Sequence, residues 1–380
     1  ATLRDANRAE NCLRKEDITV YETDIRLADR FLMARFIKGS IDFTGFTRDY
    51  GKYSRITSVK ARPGNYKPEL SVVSLDIECS EKGKLYSVGL HCEHDSRVIM
   101  VGVAESAETN IQWVENEKAL ILALNQWFED FDPDVIIGWN IIGFDFKLLD
   151  KRAKINGVSL AVGRGNKNAF FREGRNQQGF VSIPGRVVID GIDMLKAATY
   201  HFRSWSLESV SQELLGEGKA IDSHYDRMAE INHMFSSNKP ALAKYNLQDC
   251  MLVRRIFDKT HLLDFAIERS CLTGIELDRV GGSVAAFTNL YLPQLHRAGY
   301  IAPNMHSEDW VASPGGYVMD SLPNLYDSVI VLDYKSLYPS IIRSFRIDPL
   351  GLIEGLRLPV GTDNQSAIEG FRGGQFHRQH

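Results

Sequence analysis

Between residues 70 and 139 the hydrophobic period of the sequence switches from strand to helix and back, and this order limits the possible folds. Apolar, β-branched runs at Leu70–Ile77, Leu85–Leu90 and Val98–Val103 predict three strands. Asn116–Phe131 then has helical spacing, and Asp134–Trp139 returns to a strand. Strands that alternate with helices in this way are typical of an α/β domain.

Length and composition narrow the class of protein. A chain of 380 residues is too long for one ordinary core, so we expect more than one domain. The hydrophobic content of 44% and charged content of 25% are those of a soluble globular protein, and no apolar run reaches the roughly 18 residues of a membrane span. The five scattered cysteines lack a CxxC pair, which favours reduced thiols. The first residues contain no apolar signal region and no initiator Met, so we expect a piece of a cytoplasmic protein.

The net charge of -4 bears on the choice of partner. It argues against binding nucleic acid by bulk electrostatics alone. It does not exclude a metal-dependent nuclease, because carboxylates in such an enzyme would bind metal cations, and those cations would bind the phosphate.

One candidate site lies in SLDIECS, Ser74–Ser80, where Asp76 and Glu78 are separated by one residue. Side chains two apart on a strand share a face, so both carboxylates point the same way. Like charges held that close favour a divalent cation between them, such as magnesium. A solvated strand face is the alternative, although the apolar neighbours favour a buried strand, where unpaired carboxylates are costly.

Two further acidic segments follow along the chain. In WNIIGFDFKLL, Trp139–Leu149, a strand passes through a turn into a helix whose first turn holds Asp145, where the helix dipole alone would favour an acid. In KYNLQDC, Lys244–Cys250, Tyr245 and Asp249 are four apart and share one helical face. Taken alone, this last pair favours an ordinary surface helix over a catalytic site.

The segment DYKSLYPSII, Asp333–Ile342, also points to chemistry. The preceding run LYDSVIVL, Leu325–Leu332, predicts a buried strand that ends at Asp333. A carboxylate at a strand end, followed by an aromatic residue, a proline and a hydroxyl, is the arrangement that a metal and a nucleoside triphosphate would need.

Taken together, these segments resemble the family B DNA polymerases. DYKSLYPSII is similar to the first polymerase motif of that family. Its residues outside the shared motif pattern resemble the bacterial polymerase II branch most. The three earlier segments, in this order and at these separations, resemble the three exonuclease motifs of the DEDD superfamily, in its tyrosine-bearing subgroup. The resemblance spans nearly the whole chain.

The resemblance implies a role for each motif residue. Asp76, Glu78, Asp145 and Asp249 would hold two Mg²⁺ or Mn²⁺ ions, and Tyr245 would orient the attacking water. Asn140 and Phe144 would contact the terminal nucleotide. In the polymerase motif, the resemblance implies one metal ligand and three residues beside the incoming nucleotide: Asp333, then Ser336, Leu337 and Tyr338.

The resemblance also implies the architecture: a ribonuclease H-like 3'-5' exonuclease domain with a mixed sheet, flanked by a partial N-terminal domain and the start of the polymerase palm. The expected boundaries are 1–70 for the partial N-terminal domain, 71–265 for the exonuclease, 266–320 for a helical connector and 321–380 for the palm.

The implied reaction is proofreading hydrolysis of single-stranded DNA 3' ends. The implied partners are DNA, with primer-template DNA and deoxynucleotides for the longer protein, a sliding clamp bound through other segments, and no membrane. The implied location is the bacterial cytoplasm, at the nucleoid.

Two expectations concern this chain by itself. The 380 residues contain no YxDTD-like second metal motif and no KxxxNSxYG-like helix, so we expect polymerase activity only in the longer protein. The alternative to a nuclease is a DNA-binding or structural piece without turnover. The complete acid set favours the nuclease.

A basic segment leaves two readings open. Arg164, Lys167, Arg172 and Arg175 are interleaved with Phe170 and Phe171 inside a Gly- and Asn-rich stretch, which predicts a loop or hairpin. Charge and aromatic rings suit a single-strand channel. A solvated loop fits the same residues equally well.

Overall fold

A computed structural model describes residues 2–51, 53–106, 108–174, 179–217, 227–279, 281–304, 317–359, 366–369 and 374–378. It divides into two compact units, one of Ala1–Ala9 with Thr23–Pro293 and the other of Glu10–Glu22 with Gln294–His380.

The strands are β1 Ile41–Asp49, β2 Ser54–Pro63, β3 Val72–Cys79, β4 Leu85–His91, β5 Ser96–Val101, β6 Ile111–Val114, β7 Val135–Gly138, β8 Phe170–Glu173, β9 Gly179–Ser182, β10 Val187–Asp190, β11 Ala367–Glu369 and β12 Gln375–His377. The helices are α1 Leu3–Lys15, α2 Leu27–Met33, α3 Glu117–Phe131, α4 Asp145–Ile155, α5 Gly191–Ala197, α6 Leu207–Leu215, α7 Arg227–Ser237, α8 Lys239–Thr260, α9 Leu262–Thr273, α10 Ser283–Arg297, α11 Leu337–Phe345 and α12 Pro349–Leu356.

The larger unit is organised around a six-stranded sheet in the order β10-β7-β3-β4-β5-β6. The pairs β10/β7, β7/β3 and β5/β6 are parallel, whereas β3/β4 and β4/β5 are antiparallel. The sheet is therefore mixed, and the predicted α/β class with a mixed sheet is confirmed.

Strand β3 is buried on both of its faces, as its nearly continuous apolar sequence predicts. Val73, Leu75 and Ile77 belong to a core that includes residues of α3 and α4, whereas Val72 belongs to a second core with residues of α5, α6, α8 and α9. Because side chains alternate along a strand, Asp76 and Glu78 share the face of Val72. Helix α8 packs against β3 and β4.

Helix α8 is the longest helix of the described residues, and its ends have clear local causes. At its start, the Asn238 side chain accepts a hydrogen bond from the Ala241 N–H, and Pro240 occupies the first turn, where its missing N–H costs nothing. At its end, His261 adopts the left-handed conformation. The predicted helix that carries Tyr245 and Asp249 is confirmed.

The predicted hairpin in the Gly-rich stretch is also present. β8 and β9 pair antiparallel, from Phe170 opposite Ser182 to Glu173 opposite Gly179. Arg175 lies outside the described residues.

The smaller unit contains α11, α12 and the short antiparallel pair β11/β12. The predicted buried strand Leu325–Leu332 is wrong: these residues are exposed and form no strand. Val331 and Leu332 are 86% and 89% exposed. A strand requires partners for its N–H and C=O groups, and none of the described residues pairs with this run.

Candidate active site

The centre of the candidate site is the face of β3 that α8 covers. Asp76 is half-buried, and Glu78 is 4% exposed. From α8, Asp249 is 1% exposed and Tyr245 is 3% exposed, one helical turn apart as the spacing predicts.

Three of these side chains form a compact acidic group. Asp76, Glu78 and Asp249 each offer a carboxylate oxygen, and the three oxygens lie within 4.8 Å of one another. Among the described residues, this is the group of His, Cys, Asp and Glu side chains with the spacing of a metal site. The structure thus brings together acids from two motifs that are far apart in sequence.

Asp145 lies beside this group but is not one of its three members. Helix α4 begins at Asp145, whose carboxylate is buried and accepts a hydrogen bond of 3.1 Å from the Ile77 N–H of β3. Burial first, and then the negative charge of Asp76, hold the pKa of Asp145 well above its usual range. The burial and the charge of Asp76 therefore disfavour ionisation of the Asp145 carboxyl while no cation is bound.

Neighbouring groups respond to the same negative potential. Burial, followed by the charges of Glu78, Asp145 and Asp76, raises the pKa of the Cys79 thiol to about 11. Burial and then Asp249 raise the pKa of Tyr245 far above its ordinary value, so its hydroxyl keeps its proton at neutral pH. Oxygen ligands crowded in this way fit a hard divalent cation, which would offset their mutual repulsion.

The turn before α4 holds the two residues expected to contact the terminal nucleotide. Asn140 is exposed and adopts a left-handed φ of 57°, and its carbonyl accepts a hydrogen bond of 2.9 Å from the Phe144 N–H. A Cβ at Gly143 would lie 2.5 Å from the Asn140 Oδ1, so a larger residue there would displace the exposed Asn140 side chain. The Phe144 ring is 45% exposed.

Asp190 caps the start of helix α5. Its carboxylate accepts hydrogen bonds from the Ile192 N–H at 3.0 Å and from the Ile142 N–H at 3.4 Å. Burial and the nearby Asp193 raise its pKa to about 6. Asp190 thereby ties the start of α5 to the turn that precedes Asp145.

Sequence reasoning missed two residues that contact the acids. Asn246 donates a hydrogen bond of 2.7 Å from its Nδ2 to the Asp76 Oδ2. Arg227, at the start of α7, places its Nη2 3.4 Å from the Asp249 Oδ2 and its guanidinium 5.7 Å from the centre of the Tyr245 ring. Asn246 lies inside the third motif, and its place next to Tyr245 in the sequence was the available signal. Arg227 lies in no motif and gave no signal.

Only some residues of the basic segment are available to contact a nucleic acid. Arg164 is bound to two acids, its Nε 3.0 Å from Asp132 Oδ1 and its Nη2 2.6 Å from Asp134 Oδ1. Phe170 is 65% exposed, and the Arg172 guanidinium lies 5.5 Å from the centre of the Phe180 ring. Arg164 is thus held by intramolecular ion pairs, whereas β8 and β9 present exposed rings.

The residues of the polymerase motif lie in the smaller unit, and all four are exposed. Asp333 precedes a turn and belongs to no three-acid group of the described residues. Ser336 adopts a left-handed φ of 56° immediately before α11, which begins at Leu337 and continues through Tyr338. Within the described part of the chain, no metal site is assembled around Asp333.

Among the described residues, no helix combines the length and apolar character needed to cross a bilayer.

Comparison with known proteins places this geometry in a family. The family described as "DNA polymerase family B, exonuclease domain" matches residues 18–210, just over half of the chain, and "DNA polymerase family B" matches residues 281–364. The first match ends before Tyr245 and Asp249.

Individual relatives agree with the family match. The chain is 48% identical over 377 residues to DNA polymerase II of Escherichia coli (strain K12), covering 97% of this chain and 47% of that protein. It is 29% identical over 340 residues to the DNA polymerase delta catalytic subunit of Bos taurus, covering 81% of this chain and 30% of that protein. The chain therefore spans less than half the length of either relative.

A solved structure gives the same fold. The family B DNA polymerase from Pyrobaculum calidifontis superposes with a TM-score of 0.69 at 22% identity, covering 96% of this chain and 47% of that one. The fold, the two family matches and the assembled acidic group agree, and the chain belongs to the family B DNA polymerases, with an exonuclease domain of the ribonuclease H-like type.

Proposed function

We propose that the acidic group is the active site of a metal-dependent 3'-5' exonuclease that removes nucleotides from single-stranded DNA ends. The observation that carries the proposal is the convergence of Asp76, Glu78 and Asp249, whose oxygens lie within 4.8 Å of one another on buried elements. Holding three carboxylates this close is costly unless cations share them.

The donor set supports magnesium or manganese. Asp76, Glu78 and Asp249 would hold the ions together with Asp145, and all of these ligands are carboxylate oxygens, which hard cations prefer. Two such ions, when bound, supply an activated water and stabilise charge on the departing 3' oxygen.

The other residues bind and orient. Tyr245 keeps its proton, because its pKa is raised; it therefore orients the attacking water by hydrogen bonding and does not act as a base. Asn140 and Phe144, both exposed in the turn before α4, would contact the terminal nucleotide. The exposed Phe144 ring offers a stacking surface for a base.

A labelled single-stranded oligonucleotide tests this proposal. The wild-type chain should release nucleotides from the 3' end with Mg²⁺ or Mn²⁺, and chelation with EDTA should stop release. Asp76→Ala and Asp145→Ala should each reduce the rate strongly.

Three outcomes would contradict the proposal. Equal digestion by the wild type and both variants would assign the activity to a contaminant. Oligonucleotide binding without release would favour a DNA-binding piece without turnover. Release from the 5' end would exclude the proposed polarity.

For the longer protein we propose templated DNA synthesis, with Asp333 as a metal ligand and Ser336, Leu337 and Tyr338 beside the incoming deoxynucleotide. Primer-template DNA, a sliding clamp and a cytoplasmic, nucleoid-associated location belong to the same proposal. Its support is the motif DYKSLYPSII together with the family match to residues 281–364.

The domain boundaries at residues 70, 265 and 320 also remain a proposal. Limited proteolysis should cut near these positions. Resistance of all three to protease would argue against them.

A further inference from the structure

Asn246 occupies an unusual position beside the acidic group. It is wholly buried, and both ends of its side-chain amide are hydrogen-bonded. Its Nδ2 donates to the Asp76 Oδ2 at 2.7 Å, and its Oδ1 accepts from the Ser87 Oγ at 2.8 Å. Ser87 lies on β4, is itself wholly buried, and stands opposite Glu78 in the strand register.

The pattern of donors fixes the orientation of the amide. An ionised carboxylate only accepts hydrogen bonds, so Asp76 must face the NH₂ group of Asn246. The carbonyl end then faces Ser87, whose hydroxyl donates to it. A flipped amide would set two acceptor oxygens against each other at this distance.

The strand backbone leaves the amide no room to move. Gly89 stands opposite Asp76 in the register, and a Cβ there would lie 3.0 Å from the Asn246 Cγ and 3.1 Å from its Nδ2. The amide therefore packs directly on the bare backbone of β4. Asn246 is held by its shape as well as by its hydrogen bonds.

We propose that Asn246, supported by Ser87, is a positioning residue that holds the Asp76 carboxylate in one orientation relative to Glu78 and Asp249, so that the three can bind a divalent cation together. This inference rests on the proposed nuclease function. The chain of contacts runs from Ser87 on β4 through Asn246 on α8 to Asp76 on β3, and α8 and β3 are the two elements that carry the three acids. A carboxylate held in advance loses less conformational freedom when a cation binds.

The alternative is a purely structural role, in which Asn246 only makes hydrogen bonds with the half-buried Asp76 and the buried Ser87. In that case its loss would lower stability without a specific effect on cation binding. Measuring cation binding directly, apart from activity, separates these two roles.

The experiment measures Mn²⁺ binding to the full chain by electron paramagnetic resonance of free Mn²⁺. Asn246→Leu keeps the approximate shape and removes both hydrogen bonds, whereas Ser87→Ala removes only the supporting hydroxyl. The matched control is Asn125→Leu on α3, because Asn125 is likewise bonded at both ends, to the Ser159 O at 2.8 Å and the Ala161 N–H at 2.9 Å.

We expect Asn246→Leu to raise the Kd for Mn²⁺ by about 10- to 100-fold, the range for residues that orient a metal ligand. Ser87→Ala should raise it in the same direction by a smaller factor. Asn125→Leu should lower the melting temperature and leave the Kd unchanged. At Mn²⁺ concentrations below the Kd of the variant, the kcat of Asn246→Leu should fall while its KM for the oligonucleotide stays at the wild-type value.

The following binding results would overturn the inference. If folded Asn246→Leu and Ser87→Ala both keep the wild-type Kd for Mn²⁺, the role of Asn246 is purely structural. The same conclusion follows if Asn125→Leu raises the Kd for Mn²⁺ as much as Asn246→Leu does. If Asn246→Leu does not fold, Ser87→Ala alone decides. If the wild type binds no Mn²⁺, or if Asp76→Ala binds it as well as the wild type, both the proposed function and this inference are wrong. If the wild type binds Mn²⁺ and the Asn246 and Ser87 variants bind it equally well, only this inference is wrong.

Discussion

Two aspartates that follow or lie within apolar, β-branched runs have opposite surroundings in this molecule. Asp76 lies in β3, a strand paired on both sides and covered by helix α8. Asp333 follows a run of similar composition that is unpaired among the described residues and exposed to solvent. A sequence motif can thus identify the residues of a site, but those residues form a site only where neighbouring elements pack around them.

The largest expected effect is on nuclease activity. Asp249→Ala should lower the rate about a thousandfold, because the loss of a metal ligand forfeits several kcal/mol of transition-state stabilisation. Asp333→Ala should leave the rate unchanged, since Asp333 belongs to no three-acid group of the described residues. Initial rates on a 3'-labelled oligonucleotide test both variants. A strong loss in Asp333→Ala would break the contrast between the two aspartates.

The next effect is on stability. Leu75 is 1% exposed within β3, so Leu75→Ala should cost about 2–5 kcal/mol of unfolding free energy. Leu332 is 89% exposed, so Leu332→Ala should change it by less than about 0.5 kcal/mol. Urea unfolding followed by tryptophan fluorescence compares the two. A cost above about 1 kcal/mol for Leu332→Ala would mean that this run is buried in solution.

A smaller effect concerns pH. The pKa of Asp190 is raised to about 6 in the folded chain, above the value of about 3.9 for an unfolded aspartate. Folding therefore favours the protonated form, and the contribution of Asp190 to stability falls as pH rises from about 4 through 6. Above that range the loss is complete and amounts to about 2–3 kcal/mol.

Asp190→Asn should remove this dependence. Relative to the wild type, the variant should gain stability between pH 4.5 and pH 7.5 by about 1–3 kcal/mol, because the amide never ionises. Asp333→Asn, in the exposed segment, is the matched control and should show no such gain. Unfolding free energies at both pH values provide the measurement. Parallel pH profiles for the wild type and Asp190→Asn would refute the assignment.

Much of the larger unit could be predicted from local patterns. The β-branched period marked β3, and the shared helical face of Tyr245 and Asp249 marked part of α8, because strand and helix geometry repeat over a few residues. The same reasoning failed for Leu325–Leu332, since an apolar run reports a tendency to be buried and cannot report whether a partner strand is present. Arg227 was missed for a related reason: nothing near it in sequence indicates that it meets Asp249.

The amino-acid sequence alone is enough to predict that Asp76 and Glu78 share one strand face and that Tyr245 and Asp249 share one helical face. These relations follow from backbone repeats, which act over a few residues. The folded structure was needed to show that the two faces meet and that Asn246 contacts Asp76 across 170 residues of sequence. That meeting depends on burying the apolar face of α8 against β3 and β4, a property of the whole packed sheet that no short stretch of sequence contains.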